Sequence, residues 1–174
     1  RQLLDEELEI WRNRPLGKLP YLVLDARYEK VRHGGHIVDV ALLIAVGVQA
    51  DGKRAVLGVS VSLSEAEVHW RSFLTALLER GLHGVALIVS DDHAGLKQAR
   101  QATLPSVPWQ RCQCHLQRNA QAYVPQLALR AEVAQAIRDI FNAPDKTEAE
   151  RMLDRLVDRY QHKAPKLAEW AQEN

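Results

Sequence analysis

The sequence predicts an α/β fold: a mixed five-stranded sheet flanked by helices, followed by an all-α segment. Three observations carry that expectation. Three β-type apolar runs come first, joined by short turn signals at Gly34-Gly35 and Asp51-Gly52. Two helix-period segments then alternate with two further extended runs, and beyond Leu116 no strand signal remains.

Taken in order, Leu3 to Arg14 sets Leu3, Leu4, Leu8 and Trp11 among acids and arginines, the pattern of a short amphipathic helix, and Pro15, Gly17 and Pro20 end it. Tyr21-Leu22-Val23-Leu24 reads as a buried strand ending on Asp25. Gly34-Gly35 marks a turn or loop, and Ile37 to Val48 is a long, β-branched strand. Asp51-Gly52 is a hairpin signal, with a third strand over Ala55 to Val61. The period then changes. Ser64 opens a Ser-Glu-Ala-Glu capping box, and Trp70, Phe73, Leu74, Leu77 and Leu78 keep helical spacing up to Gly81. A strand over Val85 to Val89, a helix from about His93 to Ala102 and an extended piece over Val107 to Cys114 complete this half.

Strands joined by short turns pair antiparallel, whereas helical crossovers add parallel neighbours with right-handed connections. Strand, strand, strand, helix, strand, helix, strand is therefore the ribonuclease H-like arrangement. The remainder is helical. Val133, Ile137, Ile140 and Phe141 form one stripe, Thr147 to Glu150 reads as a second capping box before Met152, Leu153, Leu156, Val157 and Tyr160, and Pro165 sets off a last short helix. The expected organisation is an N-terminal helix and linker over residues 1–20, an incomplete catalytic core over 21–119 and a partial helical insertion over 120–174.

Bulk composition narrows the class. With 47% hydrophobic and 26% charged residues in 174, the chain suits one globular core plus a small appendage. The longest apolar run, Val40 to Val48, falls far short of the ~18 residues of a membrane span. No charged-then-apolar leader opens the sequence, which points to the cytoplasm. A net charge of +1 selects no partner by itself, since clustering of basic residues matters more than their sum. The two cysteines, Cys112 and Cys114, lie one residue apart and suit a reducing compartment.

Two clusters carry possible chemistry. Asp25 ends the first strand and Asp91, in VSDDHAGL, follows the fourth. In the inferred topology these strands are parallel neighbours, so both acids emerge at the carboxyl edge where open α/β sheets bind ligands. Two close carboxylates repel, and a divalent cation relieves the repulsion; magnesium takes oxygen ligands and commonly one or two carboxylates. The competing structural reading makes Asp91 a helix cap and Asp25 a plain polar strand end, with Asp92 as the alternative ligand. The second cluster is WQRCQCHLQRNA, residues 109 to 120. Cys112, Cys114 and His115 suggest zinc, but a structural site takes four ligands and His162 stands alone. The alternative makes the cysteines small buried hydrophobes on a strand. Arg118 and Asn119 read either as a solvated helix face or as phosphate contacts.

The segments YLVLDARYEKVR, LIAVGVQADGKRAVLGVSVSLSEAE, FLTALLERGLHGVALIVSDDHAGLKQA and WQRCQCHLQRNA, between about residues 21 and 120, resemble the catalytic domain of bacterial Mutator-type insertion-sequence transposases, a branch of the DDE enzymes. Weaker similarity continues through the helical part. The resemblance implies that Asp25 and Asp91 are the first two catalytic, metal-binding acids and that Asp92 is local capping. It places Cys112 and His115 on a C-x-x-H signature near the active site, with His115 positioning DNA phosphate or ordering the site. Cys114 is then incidental, Arg118 and Asn119 belong to the active-site neighbourhood, and no structural zinc is expected. It further implies Mg2+ or Mn2+, two ions in the complete site, DNA as substrate, a homodimer in the full-length protein and a bacterial, nucleoid-associated location.

One departure matters. The family needs a third carboxylate, a glutamate on a helix after the inserted region. Glu132, Glu148, Glu150 and Glu169 are present, but none sits in a matching motif. The chain is therefore expected to be a fragment, without the third acid and without an N-terminal DNA-recognition region. Two rivals remain open at this point: a ribonuclease H-like nuclease unconnected with transposition, and a truncated or domesticated DNA-binding module without catalysis.

Overall fold

The computed structural model describes residues 2–174. Two compact units make up the chain, one ending at Arg111 and the other Cys112–Asn174.

The first unit contains helix α1 (Gln2–Asn13), strands β1 (Tyr21–His33), β2 (His36–Val48) and β3 (Arg54–Ser62), helix α2 (Glu67–Glu79), strand β4 (Leu87–Ser90), helix α3 (Ala94–Thr103) and strand β5 (Trp109–Arg111). The sheet order is β3-β2-β1-β4-β5. β1 pairs antiparallel with β2 and parallel with β4, β2 pairs antiparallel with β3, and β4 parallel with β5. This is the ribonuclease H-like arrangement expected from the element order.

Strand alternation decides which face carries the core. Leu22 and Leu24 of β1, Leu43 and Ala45 of β2, Leu57 of β3 and Ile88 of β4 cluster with Trp70, Phe73, Leu74 and Leu77 of α2 and with Leu96 and Ala99 of α3. Burial of each large apolar side chain favours folding by about 1.5–3 kcal/mol, so this face fixes the register of every central strand. Arg80, just past α2, ties the helix end to its surroundings by donating to the carbonyls of Leu57 (2.9 Å) and Arg14 (3.1 Å).

Several local expectations are corrected. β1 does not end at Asp25 but runs on to His33, laddered to β2 throughout. β4 pairs only with Tyr21 to Leu24, and β3 only with Ala41 to Val48, so the rest of the β1–β2 hairpin is a two-stranded ribbon beyond the sheet. Its turn is tight. Gly34 and Gly35 both adopt positive φ (57° and 83°), the backbone that a two-residue hairpin turn with the twist of its strands requires.

Neither expected capping box forms. Ser64 Oγ accepts from the N–H of Ala66, while α2 starts after Ala66 without a side-chain cap. At the later box, Asp145 rather than Thr147 caps α6, accepting from Glu148 N at 2.8 Å. β5 stops at Arg111, so Cys114 and His115 lie on a helix and not on an extended strand.

The second unit is all-helical: α4 (Gln113–Ala120), α5 (Arg130–Phe141), α6 (Lys146–Tyr160) and α7 (Pro165–Glu173), with short 3-10 turns at Gln121–Tyr123 and Leu127–Leu129. Leu116, Ala120, Val133, Ile137, Leu156, Tyr160, Leu167 and Trp170 form its core, and Tyr123 stacks on Trp170 at 5.6 Å. Among the described residues no helix is long and apolar enough to cross a membrane.

Candidate active site

The parallel ladder between β1 and β4 closes on Leu24↔Ser90, so Asp25 and Asp91 are the next residue on each strand. Side chains alternate across a sheet, and Leu22, Leu24, Ile88 and Ser90 take the helix-covered face. Asp25 therefore shares the opposite face with Val23, and Asp91 follows Ser90 as the first residue past β4. Adjacent strands lie about 4.8 Å apart, so the two acids follow neighbouring residues of one parallel ladder.

Both acids are oriented in the same way. Asp25 Oδ1 accepts from the backbone N–H of Ala26 at 2.9 Å, and Asp91 Oδ1 accepts from that of Asp92 at 2.8 Å. Asp25 is exposed and the Asp91 side chain is 35% exposed, so solvent and ligand reach both. Arg111, at the end of β5 in register with Ser90, brings its Nε to 4.0 Å from Asp91 Oδ1. Asp91 is not a helix cap, because α3 is capped by His93, without a side-chain bond. For the same reason Asp92 does not cap it either.

The glycine of the motif has a packing role. A Cβ on Gly95 would meet Glu65 O at 2.2 Å and Glu67 N at 2.9 Å, so the backbone before α2 lies directly against the first turn of α3. Across the same contact His93 Nδ1 is 3.8 Å from Glu65 Oε2. The segment after Asp91 is thereby pinned to the strand-to-helix connection ahead of α2. Sequence reading quoted Ser90, Gly95, Trp109 and Arg111 within its two clusters but gave none of them a role. Ser90 did leave a signal: it is polar at a position whose strand parity matches buried Ile88.

The remaining candidates belong to the second unit. Cys112 is the N-cap residue of α4 without a side-chain cap bond, and its carbonyl accepts from Leu116 N. Cys112 and His115, three residues apart at the start of one helix, are half-buried; Cys114 is exposed, as is Arg118, and Asn119 is half-buried. The expectation of cysteines buried on a strand therefore fails, since Gln113 already begins a helix. Of the four glutamates, Glu132 accepts from the Tyr160 hydroxyl and pairs with Arg159 at 2.8 Å, tying α5 to α6. Glu148 pairs with Arg151, Glu150 with Lys146 at 3.4 Å, and Glu169 is exposed on α7. Among the described residues no three His, Cys, Asp or Glu side chains group to hold a metal. Asp25 and Asp91 are oxygen donors, the chemistry that suits magnesium, which keeps several waters and commonly uses one or two carboxylates.

The family model of transposases of the Mutator family matches residues 1–174. The chain is 63% identical over 169 residues to the transposase for insertion sequence element IS406 of Burkholderia multivorans, covering 97% of this chain and 44% of that protein. It is 40% identical over 171 residues to the transposase for ISRM5 of Rhizobium meliloti, and 42% identical over 168 residues to that for IS1081 of Mycobacterium tuberculosis. These cover 98% and 95% of this chain and 43% and 40% of those proteins. The chain thus spans less than half the length of the curated relatives it matches. Among solved structures it is similar to the HTLV-2 integrase catalytic core domain in complex with magnesium, at 13% identity and a TM-score of 0.34, over 71% of this chain and 85% of that one. With a family match that runs across all of its residues, the chain belongs to the Mutator family of transposases.

Proposed function

We propose that the chain is the metal-binding part of a DNA transposase catalytic domain, and that the whole protein cuts DNA and joins the cut end to a target by phosphodiester hydrolysis and strand transfer. The observation that carries the proposal is the placement of Asp25 and Asp91 one step past Leu24↔Ser90 on parallel neighbouring strands. Membership of the transposase family supplies the reaction class.

On this reading Asp25 and Asp91 hold Mg2+ or Mn2+. A cation held there would supply positive charge toward phosphate and lower the pKa of bound water. The protein's own contribution is geometric. The N–H groups of Ala26 and Asp92 each hold Oδ1 of the acid that precedes them. Misplacement of such ligands by ~1 Å costs on the order of a hundredfold in rate, so that orientation matters. His115, with Cys112, Arg118 and Asn119 around it on α4, contacts DNA phosphate or orders the site. The third carboxylate is contributed by none of Glu132, Glu148, Glu150 or Glu169, and residues 1–174 alone do not cut DNA. The partner is DNA, the transposon end and its target, and the location is the bacterial cytoplasm.

The test uses the whole transposase on end-containing DNA with Mg2+ or Mn2+. Asp25→Ala and Asp91→Ala each abolish cleavage and joining while circular dichroism stays that of the parent. Near-normal joining by a soluble Asp91→Ala protein rejects the assignment. Metal-dependent nicking by residues 1–174, abolished by Asp25→Ala, rejects the inactivity of this segment.

A further inference from the structure

Asp91 has no ladder of its own. It is the first residue past β4, and α3 begins only at Ala94. A carboxylate is no better placed than the backbone that carries it, so something other than sheet pairing must hold the Asp91 peptide.

That hold comes from the covered face of the sheet. Ser90 is 1% exposed, and its Oγ lies 2.9 Å from Trp109 Nε1 and 2.8 Å from the carbonyl oxygen of Asp91. An indole N–H only donates, and a serine hydroxyl has one proton. Accepting from Trp109 leaves the Ser90 proton for the Asp91 carbonyl, so the two bonds run in one direction: Trp109 to Ser90 to Asp91. Chains of this kind polarise each other and are stronger in a water-poor interior.

Trp109 is itself fixed. It pairs in register with Ile88 on β4 and packs against the core cluster. The Arg100 guanidinium, on a residue only 9% exposed, lies 5.3 Å from its ring centroid.

We propose that Trp109 is a positioning residue for Asp91, acting through the Ser90 hydroxyl. The proposal rests on the reading of Asp91 as a metal ligand. A purely structural role, satisfying two buried polar groups, would lower stability and leave the Asp91 carboxylate where it is. A positioning role moves that carboxylate. The amide of Asp92 reports on this directly, because it donates to Asp91 Oδ1.

The experiment uses the 174-residue protein with Trp109→Phe, which keeps a ring and removes the N–H, with Ser90→Ala, and with both together. Manganese affinity is read by electron paramagnetic resonance, with Asp91→Ala as the reference for a lost ligand. Amide exchange is read at Asp92 and, as a control within the sheet, at Ile88, whose N–H donates to Pro108 O. Loss of an outer hydrogen-bond partner typically weakens metal binding by about 10- to 100-fold, and roughly tenfold is expected for each single variant. The double variant loses no more than either single, because both cut one chain. Exchange quickens at Asp92 and not at Ile88. Parental manganese affinity and parental Asp92 exchange in folded Ser90→Ala overturn the proposal, as do losses that add in the double variant. If the parent binds manganese no better than Asp91→Ala, the metal assignment fails; the Asp92 exchange rates then still decide whether Trp109 positions Asp91.

Discussion

The carbonyl oxygen of Glu65 lies 2.2 Å from the point where Gly95 would carry a Cβ. Both sides of this contact are backbone, Glu65 to Glu67 against the first turn of α3, and backbone cannot swing aside as a long side chain can. Gly95→Ala is therefore expected to destabilise the protein by about 1–3 kcal/mol, the cost of overpacking, although alanine is the better helix former. Urea denaturation followed by circular dichroism measures it. An unchanged or raised midpoint would show that the two segments separate freely.

Asp145 and Thr147 make a matched pair at the start of α6. Asp145 accepts from Glu148 N, while exposed Thr147 lies inside the first turn. Asp145→Ala is expected to cost ~1 kcal/mol, and Thr147→Ala to stay within about 0.5 kcal/mol of the parent. Denaturation midpoints in the reverse order would move the cap to Thr147.

Tyr160 gives the helical unit an alkaline limit. Burial, the hydrogen bond to Glu132 and the charge of Glu132 all favour the neutral phenol, lifting its pKa from 10.0 to about 12, against the opposing pull of Arg159. The folded value lies above the unfolded one. The associated stability is complete below pH 10.0 and is lost as pH rises through about 12. Thermal midpoints across that window are expected to fall faster for the parent than for Tyr160→Phe; parallel curves would remove Tyr160 from the transition.

Cys112, Cys114 and His115 are expected to hold no stoichiometric zinc. Cys112 and His115 open one short helix and Cys114 is exposed, where a structural site takes four converging ligands. Elemental analysis of protein purified without chelator measures the content. About one zinc per chain, lost in Cys112→Ser, would reverse this expectation.

The strand order was legible because each core strand announces itself chemically. β-branched runs such as Val85 to Val89, and turn pairs such as Asp51-Gly52, depend on local physics that the sequence carries openly. The outer half of β1 was not legible for the converse reason. Beyond Leu24 β1 loses β4 and beyond Tyr28 the hairpin loses β3 as well, so Tyr28 and Val31 are exposed and no apolar alternation marks the strand. Capping boxes mislead because Ser or Thr followed by an acid three residues on is frequent in any charged helix. Which oxygen meets which N–H depends on where the chain enters, and at α6 that entry lies at Asp145. The register of Asp25 and Asp91 followed from topology, whereas the Ser90–Trp109 bond joins residues 19 apart and only the folded sheet brings them together.

The β1 extension also makes the two walls of the carboxylate pair unequal. Asp25 sits inside a continuous strand, laddered to Ile44 with β1 running on to His33, whereas Asp91 hangs from the last residue of a short one. Openings of a strand interior cost far more than those of a strand end. One wall is therefore held by the ladder itself, and the other by the Ser90–Trp109 bond below it and the Gly95 backbone contact after it.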